Sequence, residues 1–205
     1  MQFNPDFTEE CPSPVGAGGS EGRIAWCITG SGHYLNESLA LCERLPNVDV
    51  YVSSAGEEVL AMYGLPIEQL KKRGLRIFRD KTASAVPVGL LYERVYSTCV
   101  IAPATGNTVA KCALGIADTL PTNLFAQAGK RAVPSIVFAC DTEPSVVTKS
   151  PTEWFEVRPR AIDLAHVEAL RRFEYTTVVG TVDELEAALA ARLAQLGLAW
   201  TTSSS

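Results

Sequence analysis

Two short segments carry the residue types that could do chemistry: Thr29-Gly30-Ser31-Gly32-His33 and Pro103-Ala104-Thr105-Gly106-Asn107-Thr108. The second follows an apolar run, residues 99–102, and opens a helical stretch, which is where an open α/β sheet presents its ligand crevice. Thr105, Asn107 and Thr108 offer short hydrogen-bonding side chains there, and Gly106 leaves room for backbone to approach a flat ligand. The same residues also suit an ordinary helix start, with Thr105 or Asn107 as N-cap. In the first segment a strand (24–28), a glycine turn and a helix (35–45) succeed one another. That order makes an anion site, because free backbone N–H groups and the helix dipole both face the turn. A dinucleotide fingerprint would need a third glycine where Leu35 stands, and an acidic residue after the next strand (48–52), where Ser53 and Ser54 stand. Hydroxyls can donate to a phosphate that a carboxylate would repel, so the pattern points to a monophosphate.

These loops need a scaffold, and strands alternate with helices along the chain. Helices are expected at 57–63, 68–72, 86–95, 110–120, 124–130 and 164–173, and strands at 75–78, 133–139 and 176–179; 153–158 is ambiguous. For the last helix, Thr181 with Glu184 reads as a capping box, and Leu185, Leu189 and Leu193 share one face. The alternation predicts an α/β, three-layer Rossmann-like (flavodoxin-like) parallel sheet with helices on both faces. Residues 1–22, with Pro12, Pro14 and a Gly-Ala-Gly-Gly-Ser run, read as a flexible N-terminal arm, 23–200 as a single domain and 201–205 as a polar tail.

Composition removes several classes of function. A net charge of −5 gives no electrostatic reason to expect nucleic acid. No apolar run reaches membrane-spanning length and the first 22 residues lack a signal peptide's apolar region, so a cytoplasmic protein without a membrane partner is expected. The six cysteines form no CxxC pair, which favours buried reduced thiols and excludes an iron–sulfur centre carried by such a motif. With His33 and His166 as the only histidines, no zinc cluster is expected.

PATGNTVAK followed by GIADTLPTN resembles the PASANT-type motif of FMN-binding flavoproteins related to the homo-oligomeric flavin-containing cysteine decarboxylases. TGSGHYL and the strand end SSAG lie where that superfamily binds the flavin phosphate, so the resemblance spans roughly residues 23–145. It implies FMN as cofactor, with Gly30, Ser31, Gly32, Ser53 and Ser54 around the phosphate and Ala102, Pro103, Ala104, Thr105, Gly106, Asn107 and Thr108 along the ring. It also implies a homo-oligomer, a trimer or a cage of trimers, with the flavin near a subunit boundary and residues 110–123 at the interface. Decarboxylase chemistry in the family uses a histidine before the PASANT-type motif and a PxMNxxMW clamp; residues 54–102 contain no histidine, and Ala139-Cys140-Asp141-Thr142-Glu143-Pro144 begins a different segment. ITGSGHYL with CDTEPSVVTKSPTEWFEVRPR is most similar to the dihydromethanopterin reductase branch. That implies reduction of dihydromethanopterin, or a related dihydropterin, by reduced flavin, fed by a nicotinamide nucleotide or a redox protein. An electron-transfer flavoprotein serving a protein partner is the alternative, and a flavin-dependent decarboxylase the third class. His33 could donate a proton, balance phosphate charge or simply shape the turn. Lys149, Arg158 and Arg160 could meet an anionic substrate tail or remain solvated, and Tyr34, Trp154 and Phe155 could stack a ring or pack in the core.

Overall fold

The computed structural model describes residues 22–81 and 86–201. Six parallel strands form the central sheet: β1 (Arg23–Ile28), β2 (Val48–Val52), β3 (Arg76–Arg79), β4 (Tyr96–Ala104), β5 (Ser135–Ala139) and, last in the chain, β8 (Thr176–Val179), in the order β3-β2-β1-β4-β5-β8. The inner strands β1, β2, β4 and β5 are buried along nearly their whole length, as a sheet covered on both sides requires, while the edge strands β3 and β8 are more exposed. Ile24, Trp26 and Ile28 pack with Val50, Val52, Val100 and Phe138 on one face, while Ala25, Cys27, Tyr51, Ile101 and Val137 pack on the other. The first face is covered by α1 (Leu35–Glu43), α2 (Ser54–Met62), α3 (Ile67–Lys72) and α7 (Val182–Gln195). The second is covered by a 3-10 turn (Val86–Leu91), α4 (Gly106–Ala113), α5 (Leu120–Lys130) and α6 (Ala161–Leu170). This is the expected three-layer α/β arrangement.

Several boundaries differ from the sequence expectation for local reasons. The helices expected over 110–120 and 124–130 both start earlier, and the first also ends earlier: α4 runs from Gly106 to Ala113, Gly115 turns the chain at φ +74, and Thr119 and Thr122 form a reciprocal capping box that starts α5 at Leu120. The helix expected over 86–95 tightens into the short 3-10 turn, with Pro87 and Gly89 inside it. Residues 153–158 contain a strand, β7 (Trp154–Val157), antiparallel to an unanticipated β6 (Val146–Lys149), and Ser150 closes the turn by accepting from the backbone of Glu153. Thr181 caps α7, but the Glu184 carboxylate reaches past it to the Gly180 N–H, 2.8 Å away. The expected arm and tail lie outside the described residues except for Gly22, which is buried, and Thr201, which donates to the Arg44 carbonyl.

At the amino end of the sheet lies a buried polar cluster. Asp49, fully buried in β2, is held by Arg23 of β1 and by the Tyr96 hydroxyl of β4 at 2.7 Å, and Tyr96 also meets Tyr51 at 2.8 Å. The opposite end of the sheet carries the candidate site.

Candidate functional site

Strand order changes direction between β1 and β4, and a crevice opens outside their carboxyl ends, the usual ligand position of such sheets. Thr29 ties the two strand ends together, its Oγ1 donating to the Pro103 carbonyl at 2.7 Å and accepting from the Thr105 N–H at 3.1 Å. The resulting cavity is about 350 Å³, within the range of small-molecule sites. Gly30, Ser31, Gly32 and His33 form one wall, Thr105 and Gly106 another, Cys140 and Asp141 the end of β5, and Thr148 and Phe155 of the hairpin a fourth side.

Close packing explains the glycines. A Cβ on Gly30 would lie 2.8 Å from that of Ala55, a Cβ on Gly32 would collide with the Tyr63 hydroxyl, and a Cβ on Gly56 would lie 2.7 Å from the Ile28 carbonyl. The N-terminus of α2 is thereby drawn against the β1 turn. Ser53 is its N-cap, its Oγ accepting from the Gly56 N–H at 3.0 Å, whereas Ser54 turns away and donates to the Asp80 carbonyl at 3.1 Å. On the β4 side, Thr105 takes the N-cap of α4 by accepting from the Thr108 N–H at 3.1 Å. Ala102, Pro103 and Ala104 are buried within β4, the Ala102 carbonyl accepting from Trp26 Nε1 at 2.9 Å. Thr108 is buried, and Asn107 is exposed on the first turn of α4. The structure thus brings Gly30, Ser31, Gly32, Thr105 and Gly106 into one crevice; Ser53, Ser54 and Asn107 are not among the residues lining it.

His33 sits in the turn with its ring 3.7 Å from that of Tyr34, which takes a left-handed φ of 60 and stacks on Phe138 at 4.8 Å. Burial holds the imidazole below its ordinary range against the raising influence of Glu37 and Asp141, and its Nε2 is buried with no hydrogen-bond partner among the described residues. Of the basic candidates, Arg158 is exposed beside Glu156 at 3.4 Å, Arg160 is spent on Asp163 through contacts of 2.7 and 2.9 Å, and Lys149 pairs through its backbone with Trp154.

Sequence reasoning passed over Cys140 and Asp141. Cys140 Sγ lies 3.2 Å from Ser31 Oγ, and burial pushes its thiol up to about 12. Asp141 lies against Gly106, whose added Cβ would fall 2.6 Å from Oδ2, and its carboxyl is raised by burial first and by Asp163 second. The signal was available: both follow a strand's carboxyl end, the rule that singled out the other loops. The hairpin wall had no such signal, since its strands are four residues each.

Among the described residues no cluster could hold a metal ion, and no helix is long and apolar enough to cross a membrane. Five cysteines, at 27, 42, 99, 112 and 140, are free and buried.

Comparison with known proteins agrees with this geometry. Dihydromethanopterin reductase (acceptor) of Methanosarcina mazei is 42% identical over 141 residues, 63% of this chain and 59% of the relative, so the chain spans under two thirds of that curated relative. Among solved structures, DmrB of Burkholderia xenovorans in complex with FMN, described as a cubic protein cage for redox transfer, is 63% identical, with a TM-score of 0.81, covering 86% of this chain and 98% of that one. A dodecameric FMN-dependent UbiX-like decarboxylase from Escherichia coli O157:H7 shares the fold at a TM-score of 0.61 with 16% identity, over 89% of this chain and 97% of that one. The family profile described as Flavoprotein matches residues 17–196, and the chain belongs to the flavoprotein family.

Proposed function

We propose that this protein is an FMN-dependent reductase that converts dihydromethanopterin, or a related dihydropterin, to the tetrahydro form. The observation that carries this reading is the near-complete correspondence with an FMN-bound relative at 63% identity, combined with a glycine-turn crevice at the sheet's switch point. The residues fit the cofactor: Gly30 and Gly32 leave backbone where side chains would collide, and the α2 N-terminus faces the same turn with a hydroxyl rather than a carboxylate at its cap. Gly30, Ser31, Gly32 and Ser53 would hold the phosphate, and Thr105, Gly106 and the β4 end would border the ring. Asp141 at the α4 N-terminus disfavours an anion there and so directs the phosphate to the β1 side. When bound and reduced by an external donor, FMN would supply a hydride, that is two electrons and one proton, to an acceptor held against its ring. The chain's part is to align two flat groups and keep water from between them, for which Phe155 and Val157 of the hairpin form an apolar cover.

The working form is a homo-oligomer, a trimer or a cage of trimers, with residues 110–123 at the boundary. Leu114 and Ile116, 64% and 44% exposed in the single chain, supply the apolar surface such a contact needs. Free buried thiols suit a reducing compartment, the cytoplasm. The test is anaerobic turnover of dithionite-reduced, FMN-loaded protein with a dihydropterin, against reduction of a ferredoxin-like partner by the same reduced protein. Tetrahydropterin formation supports the reductase; electron exchange with the protein partner alone would assign an electron-transfer role instead.

A further inference from the structure

A groove of about 200 Å³ lies between the end of α4, the last turns of α5 and the loop from α6 into β8. Because β8 begins at Thr176 and α5 ends at Lys130, both of which line it, the groove sits at the amino end of the sheet, opposite the crevice. Its walls are mostly apolar. Phe125 and Phe173 face each other with ring centroids 6.4 Å apart, and Ile116 and Phe173 are 44% and 40% exposed. Lys130 lines the groove, and Arg131 and Arg172 adjoin lining residues in the chain. All three are exposed, and none makes a side-chain hydrogen bond or salt bridge among the described residues. Glu174 is the one acidic residue in the lining. Open aromatic surface ringed by unanswered cations suits an acidic segment with an aromatic anchor.

The chain carries such a segment. Residues 2–10, Gln-Phe-Asn-Pro-Asp-Phe-Thr-Glu-Glu, hold two phenylalanines, three carboxylates and no basic residue, and they precede the family match, which begins at residue 17. A Gly-Ala-Gly-Gly-Ser run at 16–20 joins them to Gly22, which leads into β1 at the same end of the sheet as the groove. From β1 to β8 is three strand spacings, about 14 Å. A Gly-rich link as long as the one from Phe7 to Gly22 has a root-mean-square reach of about 20 Å. We propose that residues 2–10 dock in this groove of their own chain, the Phe7 ring seated on Phe125 and Phe173, and Glu9 and Glu10 facing Lys130, Arg131 and Arg172. Room of this order accepts a benzene-sized ring. The tether holds the segment at millimolar effective concentration, so one anchor and weak surface ion pairs suffice. Leu114 lies outside the groove and stays open for the subunit boundary.

Two photo-crosslinking probes in the FMN-loaded full chain test this, with p-benzoylphenylalanine replacing Phe7 in one and Phe173 in the other, and products mapped by peptide mass spectrometry. The first is expected to join residues 112–130 or 172–176 and the second residues 2–12, both within one chain. Lys130→Glu with Arg131→Glu should cut the yield about fivefold, and adding Glu9→Lys with Glu10→Lys should restore it. If neither probe joins the two regions the docking is overturned, as it is if charge reversal leaves the yield unmoved. A Phe173-probe product at twice the chain mass on a denaturing gel would assign the groove to a second copy and also overturn it.

Discussion

Ser53 caps a helix and, in the proposed function, also borders the flavin phosphate. Its Oγ caps α2 by accepting from the Gly56 N–H, and the same helix terminus faces the proposed phosphate position. Ser53→Ala should lose about 1 kcal/mol of stability through the missing cap. Ser53→Asp keeps an acceptor at the cap, so its stability should match wild type while FMN affinity collapses through like-charge repulsion. Urea titration and isothermal titration with FMN read the two effects separately, and unchanged affinity in Ser53→Asp would remove Ser53 from the site. Asp141 makes the opposite case. Its carboxyl is raised in the folded state, by burial and by Asp163, so the folded protein holds that proton more tightly than the unfolded chain. The contribution is present below the ordinary carboxylate range and is lost as pH rises through the raised value. Asp141→Asn should therefore melt above wild type near neutral pH, with the gap shrinking toward about pH 4. A gap independent of pH in thermal melts would contradict this.

At the scale of elements, three strands are joined at their amino ends by a single carboxylate. Asp49 of β2 accepts from Arg23 of β1 and Tyr96 of β4 while fully buried. Removing it strips the partly exposed Arg23 guanidinium of its carboxylate and leaves the Tyr96 hydroxyl with Tyr51 alone, at a cost of about 3 kcal/mol, the low end for a broken buried pair. Asp49→Ala should lower the urea midpoint accordingly, yet leave FMN affinity of the remaining folded protein near wild type, because the cluster lies at the far end of the sheet from the crevice. The segment between α4 and α5 works differently. Gly115 at φ +74 and the Thr119 cap separate α4 from α5, and Leu114 and Ile116 are left outside the core.

For the whole molecule, those exposed side chains bear on assembly. Leu114→Asp changes a residue 64% exposed in the single chain, so it should leave the fold intact and disperse the oligomer. If a second subunit completes the flavin site, added FMN should hold the wild-type oligomer together on dilution by mass action. Light scattering across a dilution series, with and without FMN, measures both effects; tight flavin binding by a Leu114→Asp monomer would show that one chain suffices.

The sequence by itself determined the layered α/β fold, because strands buried on both faces read as short apolar runs and the helices between them carry caps and apolar stripes of their own. It also marked the glycine turn, Ser53, Thr105 and Gly106, since each follows a strand end directly. Only the tertiary structure decided which neighbours those residues meet. Ser53 and Ser54 are adjacent in sequence, yet one caps a helix at the crevice and the other bonds the Asp80 carbonyl 26 residues away. Thr29 joins residues 74 and 76 positions distant. Cys140, Asp141 and the hairpin reach the site because β5 is the neighbour of β4 and the chain beyond it folds back over the crevice. Contacts of that separation depend on strand order, and strand order is set by how the whole core packs rather than by any local pattern.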